Sequence, residues 1–439
     1  MHDGQALRRE WTGKALSQND GGYKRTVMVR TYTFDNGLRL IVKEMDGLMS
    51  VTMGILVGAG GAYETDREDG ISHYIEHMHF KGTATRTARQ ISDAFDNIGA
   101  QVNAFTGKDI TCYYSKATQT HAEEAFALLS DIFLNSTFPD EEAVREKEVI
   151  VQEICMNEDS PDDLCMDVLG KAIYGKEGYG RNILGPAENV RGFTKEDVAA
   201  YKSQFYRPEN IVISFAGAVS FDKAKELTER YFAGMEGGKF TPREKPVNLV
   251  SQSLCRNKKI EQVHIAIGYP GVCRTDPRLE ALQIGNTILG NGMSSRLFQE
   301  VREKLGLAYT VYSFITVFRE CGHLTIYAGV SPDNVTKAYE AIIREIKKVL
   351  ESGITDAEFR RAREQLRASG IFSQESTSSQ MLWYGRNLLY DGVVDSFEEQ
   401  QARYDAVTAE DVMTVMRSTY GEKPSGIGVV GDVSEPLSF

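Results

Sequence analysis

The stretch Gly70-Ile-Ser-His-Tyr-Ile-Glu-His-Met-His-Phe80 places three of the chain's seven histidines within seven residues. On a helix, His73 and His77 lie nearly one above the other, because residues four apart share a face. Two imidazoles arranged in this way can bind one metal ion. Glu76 lies about 60° around the same face, where a carboxylate can polarise a metal-bound water. We therefore interpret the stretch as half of a metal site carried by a helix.

The order of these residues, H-x-x-E-H, inverts the H-E-x-x-H pattern and is a motif of zinc hydrolases. A catalytic zinc needs a third protein ligand and an open position. His79 follows His73 by six residues, about 240° around the helix, so we predict that it packs or hydrogen-bonds instead of binding metal. Glu146 and Glu153 share one face of a predicted helix over 140–156. The residues alone leave Glu153 open between a ligand and the commoner solvated acid.

Composition indicates a soluble globular protein with 439 residues, 41% hydrophobic and 26% charged, enough for two or three domains. A net charge of −12 argues against nucleic-acid binding. The six cysteines are scattered, so no disulfide framework is predicted, and Cys155 is expected to be a small buried residue. The sequence has no apolar run of the ~18–20 residues that a membrane span needs, and the polar stretch over 1–23 does not resemble the hydrophobic region of a signal peptide. We predict a cytoplasmic bacterial protein with no membrane partner.

Turn and linker signals divide the chain. Asn36-Gly37 predicts a hairpin turn between strands over 31–34 and 38–42, and two further strands are predicted at 101–106 and 110–115. Gly, Pro and charged residues predict a linker over 237–258. The predicted organisation is a flexible leader over 1–27, an N-terminal metal-binding catalytic domain over 28–236, the linker, and a C-terminal homologous domain over 259–439.

An internal duplication is indicated by two segments at a constant offset of 214 residues. The segment over 194–220 matches the segment over 408–434 at nine of 27 positions without a gap. Such self-similarity predicts two copies of one structural unit. The expected fold class is α+β, with two duplicated α/β-roll domains, each a mainly antiparallel sheet packed with helices. The histidine motif has no counterpart in the second copy, so the metal site belongs to the first.

Four stretches carry a resemblance to a known family: His73–Thr83, Val102–Thr106 with Tyr113-Tyr114, Glu148–Ile154 and Ser295–Tyr309. With them the chain resembles the pitrilysin-type (M16) inverzincin metallopeptidases. It is most similar to the short-chain group that includes bacterial processing proteases and the mitochondrial processing peptidase β subunit. The resemblance spans nearly the whole chain after about residue 28. His79 departs from the apolar residue that is more usual at this point in the family.

The resemblance implies one Zn²⁺ per chain, held by His73, His77 and Glu153. Glu76 is then the general base acting on a zinc-bound water. Glu146 matches a family glutamate that orients a ligand or helps the base. The implied activity is hydrolysis of peptides or small unfolded segments by a zinc endopeptidase inside a closed chamber.

The resemblance also implies where a peptide substrate binds. Asn103 and Ala104 match an edge strand that adds the peptide as a further strand, although an ordinary core strand is the alternative from the residues. Arg302 and Tyr309 match a pair that contacts the substrate backbone and steadies the oxyanion. Without the family they would be a surface charge and a strand aromatic. Because the zinc set and this pair are both intact, we expect a homodimer in which one copy completes the site of the other.

Two rival functions stay open at this stage. One is a non-catalytic structural or partner subunit of the same fold, although such subunits usually lose the ligands or the base. The other is a dedicated presequence-processing peptidase with one physiological target, which the sequence does not distinguish from general peptide turnover.

Overall fold

The computed structural model describes residues 10–12, 29–245, 247–392, 394–421, 423–433 and 437–438. The strands within these ranges are β1 (Glu10–Thr12), β2 (Val29–Thr33), β3 (Arg39–Glu44), β4 (Ser50–Val57), β5 (Gln101–Thr106), β6 (Thr111–Thr118), β7 (Ile211–Gly217), β8 (Ser253–Asn257), β9 (Val263–Pro270), β10 (Ala308–Val317), β11 (Gly322–Val330) and β12 (Gly426–Gly431).

The α-helices within the same ranges are α1 (Ile71–His79), α2 (Ala88–Asn97), α3 (Ala122–Asn135), α4 (Asp140–Asp159), α5 (Pro161–Tyr174), α6 (Ala187–Gly192), α7 (Lys195–Phe205), α8 (Phe221–Phe232), α9 (Leu279–Gly290), α10 (Val335–Ser352), α11 (Asp356–Gln374), α12 (Thr377–Asp391), α13 (Phe397–Ala406) and α14 (Ala409–Tyr420). Residues Phe298–Lys304 form a π-helix.

The first unit contains a seven-stranded sheet in the order β1-β2-β3-β7-β4-β6-β5. Every pair is antiparallel except β3 with β7. Neighbouring residues of β7 contact helices on opposite faces, as the strand period of two requires. The Phe215 ring packs on Phe126 of α3, whereas the Ser214 hydroxyl donates to the Met381 carbonyl of α12. The sheet is therefore covered on both faces.

The second unit contains a five-stranded sheet in the order β10-β11-β9-β12-β8, antiparallel except for β12 with β8. Helix α5 lies close to one face, because a Cβ at Gly268 would come within 2.5 Å of Ile173. The next residue, Tyr269, points to the other face and packs its ring on Tyr420 of α14. This sheet is also enclosed by helices.

The two sheets repeat one plan, and five strands correspond in order and direction: β5-β6-β4-β7-β3 matches β10-β11-β9-β12-β8. The duplicated segments behave alike in detail. Thr194 caps α7 with a reciprocal bond to Asp197, and Thr408 caps α14 with the same bond to Asp411. Gly217 and Gly431 both have positive φ, 130° and 150°, which favours glycine. The α+β class with two duplicated rolls is confirmed.

The compact units do not coincide with the sequential halves. The first comprises 1–151, 183–244 and 371–396, and the second comprises 152–182, 245–370 and 397–439. Each half therefore contributes one helix to the other unit: α5 packs on β12 and β9, and α12 packs on β7 and β4. The predicted boundaries, 28–236 and 259–439, differ from these units because a helical pattern does not say which sheet the helix covers.

One other expectation differs from the structure, and a second lies largely outside the described residues. The predicted linker over 237–258 ends in strand β8, whose Cys255 pairs with Val429 of β12. The predicted leader over 1–27 lies outside the described residues except for 10–12, which form β1 and pair with β2. Among the helices of the described residues, none combines the length and the apolar character needed to cross a membrane.

Candidate metal centre

The residue that precedes helix α1 is a glycine because the backbone conformation at that position favours one. Gly70 has φ 97°, and a Cβ there would lie 2.7 Å from the Leu184 carbonyl. Gly70 offers no side-chain cap, and Glu64 takes that role from six residues upstream. Its two carboxylate oxygens accept the N–H groups of Gly70 and Ser72, each at 2.8 Å. An anion at a helix N-terminus satisfies free donors and complements the helix dipole.

Burial nevertheless makes this cap sensitive to protonation. Glu64 is 5% exposed, and its burial raises the pKa to about 7, although the hydrogen bonds from Ser72 and Gly70 favour the ionised form. The Ser72 hydroxyl also lies 2.8 Å from the Tyr201 hydroxyl of α7. The first turn of α1 is thus fixed by partners that the local motif did not reveal.

His73, His77 and Glu153 converge. Their possible ligand atoms all lie within 4.8 Å of one another, and the two imidazole centroids are 4.5 Å apart. Glu153 lies on α4, which continues as one helix from Asp140 to Asp159. Donors around one tetrahedral zinc at about 2.1 Å are separated by about 3.4 Å, so small side-chain movements suffice to close the set. Two imidazoles and one carboxylate suit zinc, and they leave a fourth position for water or substrate.

Glu146 is hydrogen-bonded to the Nδ1 atom of His77. Its Oε1 accepts from His77 Nδ1 at 2.8 Å, and its Oε2 pairs with Lys81 Nζ at 2.7 Å. Burial opposes ionisation of Glu146, but the hydrogen bonds from His77 and Lys81 outweigh it and hold the pKa below its usual value. A carboxylate on Nδ1–H fixes the His77 tautomer that presents Nε2 as a ligand.

Glu76 is half-buried on α1 beside the edge strand β5. Its Oε2 accepts the Thr106 hydroxyl at 2.5 Å, and Thr106 is the last residue of β5. The structure thus brings the predicted base next to the strand predicted to bind substrate.

His79 points away from the ligand set and is fully buried. Its Nδ1–H donates to the Ile75 carbonyl at 2.8 Å, which leaves Nε2 to accept from Lys202 at 3.1 Å. The ring packs against Phe133 and Tyr206, with centroids 5.7 and 5.9 Å away. Burial and the neighbouring ammonium lower the pKa of His79, and burial lowers the pKa of Lys202 to about 8. His79 is a packing and hydrogen-bonding residue. Its two ring nitrogens place a donor and an acceptor among aromatic side chains.

Asn103 and Ala104 lie on β5, which ends the sheet order and is not a core strand. Asn103 is exposed, and its side-chain oxygen accepts the Ala104 N–H at 2.8 Å. That N–H therefore faces away from β6, towards the open edge.

Arg302 and Tyr309 meet on the second unit. The Arg302 guanidinium lies 5.2 Å from the Tyr309 ring centroid and 4.7 Å from that of Phe298. Arg302 is carried by the π-helix, a form that is rare and frequent at functional sites. Tyr309, near the start of β10, is 74% exposed. Both groups are accessible for a partner or a ligand.

A two-unit α+β fold with an H-x-x-E-H helix beside a distant glutamate is typical of one class of zinc-dependent peptidases. Residues 40–187 match the family described as insulinase (peptidase family M16), and residues 192–366 match the peptidase M16 inactive domain. The chain belongs to the M16 peptidase family. The residues of the candidate centre all fall within the first match.

Relatives match almost end to end. A protein of Bacillus subtilis named as an uncharacterized zinc protease is 40% identical over 396 residues, 90% of this chain and 96% of that protein. An uncharacterized zinc protease of Streptomyces coelicolor is 36% identical over 416 residues, covering 93% and 90%. A protease structure from Helicobacter pylori has a TM-score of 0.86 at 21% identity, covering 92% of this chain and 99% of that chain, which shows the shared fold.

Sequence reasoning missed Glu64, Lys81 and the hydroxyl of Thr106. Thr106 belongs to a stretch used for the resemblance, so a signal for it was present. Glu64 had no local signal, since its bonds reach six and eight residues along the chain. The expectation that Cys155 is buried was wrong: it is exposed on α4.

Proposed function

We propose that the protein is a zinc-dependent endopeptidase that hydrolyses peptides or small unfolded protein segments. The observation that carries the proposal is the convergence of His73, His77 and Glu153 beside Glu76 on the same helix. A zinc ion bound by those three residues would supply a Lewis acid for the scissile carbonyl and lower the pKa of a bound water. The relatives named as zinc proteases support the choice of metal.

The chain's own groups have defined parts in this proposal. Glu76 accepts a proton from the attacking water and passes one to the leaving amine, a role for which a carboxylate within hydrogen-bonding reach is suited. Glu146 keeps His77 in its ligating tautomer and keeps its own charge through Lys81. These contacts support catalysis over the rival role of a non-catalytic subunit, because they hold a predicted zinc ligand in its ligating tautomer.

The edge strand β5 supports the choice of an extended peptide as substrate. A peptide can add to this edge through backbone hydrogen bonds, with the Ala104 N–H as one donor after Asn103 releases it. Arg302 and Tyr309 offer a cation and a phenol that suit a substrate backbone or an oxyanion. We expect a second copy of the chain to supply this pair within a closed chamber. The homodimer and the cytoplasmic location stay predictions.

The proposal is tested by incubating the purified protein with a random peptide library, before and after removal of metal by a chelator. We expect cleavage at internal bonds, its loss with the chelator, and its recovery with one zinc per chain. The rival processing role predicts cleavage that depends strictly on one motif. Absence of cleavage by fully zinc-loaded protein would contradict the proposal and favour the non-catalytic subunit.

A further inference from the structure

The hydroxyl of Thr106 links the proposed base to the proposed substrate strand. It donates to Glu76 Oε2 at 2.5 Å, a short bond to a carboxylate. Thr106 ends β5, and two residues before it lies Ala104 with its edge-facing N–H. One strand therefore carries both a donor for a peptide and a donor for the base.

The turn that follows Thr106 is fixed on one side by the loop that precedes α1. The Gly61 N–H donates to the Gly107 carbonyl at 3.1 Å, and the Ala62 N–H donates to the Lys108 carbonyl at 2.7 Å. A Cβ at Gly60 would lie 2.3 Å from the Gly107 oxygen, so the two backbones touch there without room for a side chain. The hydroxyl of Thr106 is therefore carried by a backbone that these hydrogen bonds and this close contact hold in place.

The same turn is fixed on its other side by α12. The Tyr390 hydroxyl donates to Asp109 Oδ1 at 2.6 Å, and both side chains are buried. A buried carboxylate bonded by a phenol holds its segment firmly, because breaking the bond would leave the charge without that donor. The position of Thr106 is therefore set before any substrate arrives.

We propose that Thr106 is a positioning residue that orients the carboxylate of Glu76, and this inference rests on the proposed peptidase function. The terminal torsion of a glutamate is soft and broad, so an unrestrained carboxylate samples many orientations. A bond on Oε2 restricts that torsion and fixes the direction of Oε1 for proton transfer. Such pre-organisation raises the rate of the chemical step without adding affinity for the substrate.

The test compares Thr106→Val, which keeps the shape and removes the hydroxyl, with Thr106→Ser, which keeps the hydroxyl. We expect Thr106→Val to lower kcat about tenfold, in the range for a hydrogen bond to a charged group, with KM within about twofold of wild type. Thr106→Ser restores kcat to within about threefold. In the Glu76→Gln background, Thr106→Val should lower the residual rate less than twofold, because the group it orients is already inactive.

Thr111→Val is the matched control. Thr111 is the cross-strand partner of Thr106 on β6, and its buried hydroxyl donates to the Ala59 carbonyl at 3.0 Å instead of to Glu76. The Thr111→Val substitution should leave kcat within twofold of the wild-type value. A readout independent of turnover is a crystal structure of the Thr106→Val protein, in which the Glu76 carboxylate should leave its wild-type orientation or occupy several.

The outcomes distinguish a failure of the positioning role of Thr106 from a failure of the proposed peptidase function. If wild type cleaves peptide and Glu76→Gln does not, an unchanged kcat in Thr106→Val overturns the positioning role alone. A rise in KM with kcat unchanged also overturns it, since the hydroxyl would then serve substrate binding. If zinc-loaded wild type cleaves no peptide, the proposed function fails and this inference with it.

Discussion

Replacing Glu146 by glutamine should weaken zinc binding without removing a ligand. Glu146 is 5% exposed and bonds His77 Nδ1 at 2.8 Å and Lys81 Nζ at 2.7 Å. Glutamine keeps the shape but turns an amide NH₂ towards the Lys81 ammonium, so the cation loses its partner and His77 loses the charge that strengthens it as a ligand. Changes to such supporting groups typically cost 10–100-fold in metal affinity. We therefore expect a loss of about 1.4–2.8 kcal/mol in zinc binding.

The assay is competition for zinc between the protein and a chromophoric chelator at pH 7.5. Glu148→Gln is the matched control, because Glu148 lies on the same helix and loses the same charge, yet it is exposed and pairs with Arg191. The zinc affinity of the Glu148→Gln protein should stay within twofold of wild type. Equal zinc affinity of the Glu146 and Glu148 variants would refute the supporting role of Glu146.

Three further predictions follow from the site. Glu153→Gln should lower zinc stoichiometry far below one per chain in metal analysis after dialysis, and full occupancy would remove Glu153 from the ligand set. Ala104→Pro should raise KM several-fold with wild-type folding, because proline is tolerated at an edge but deletes the outward N–H; an unchanged KM would argue against peptide addition at β5. Glu64 has a folded pKa of about 7 against 4.5 unfolded, so its contribution to stability is full below about pH 4.5 and lost as pH rises to 7. Relative to Glu64→Gln, wild type should therefore lose up to about 3 kcal/mol of stability across that window, measured by denaturation midpoints; a pH-independent difference would contradict the shifted pKa.

The local pattern predicted α1 well, since the spacing of four between His73 and His77 is a property of one helical turn. The same spacing argument placed His79 on the far side of the helix, where the structure finds it among aromatic rings. The hairpin turn at Asn36-Gly37 was also predictable, and Gly37 has the positive φ of 89° that such a turn uses.

Long-range pairing set the limits of the prediction. Strand β8 was taken as linker because only two of the five residues in Ser253–Asn257 are apolar and because it pairs with β12, some 170 residues later in the chain. The sequence did not predict that α5 packs in the second unit and α12 in the first, because an apolar helix face fits either sheet. The family resemblance alone implied a supporting role for Glu146, and its contact with His77 was not predicted, since a seven-residue spacing on one helix says nothing about a partner on another.

The most direct measurement of the central claim is peptide turnover by Glu76→Gln protein with zinc content determined on the same sample. We predict one zinc per chain in both proteins and a loss of turnover of about 10²–10⁴-fold in the variant, the usual contribution of a general acid–base group. Wild-type turnover in a fully zinc-loaded Glu76→Gln protein would contradict the account.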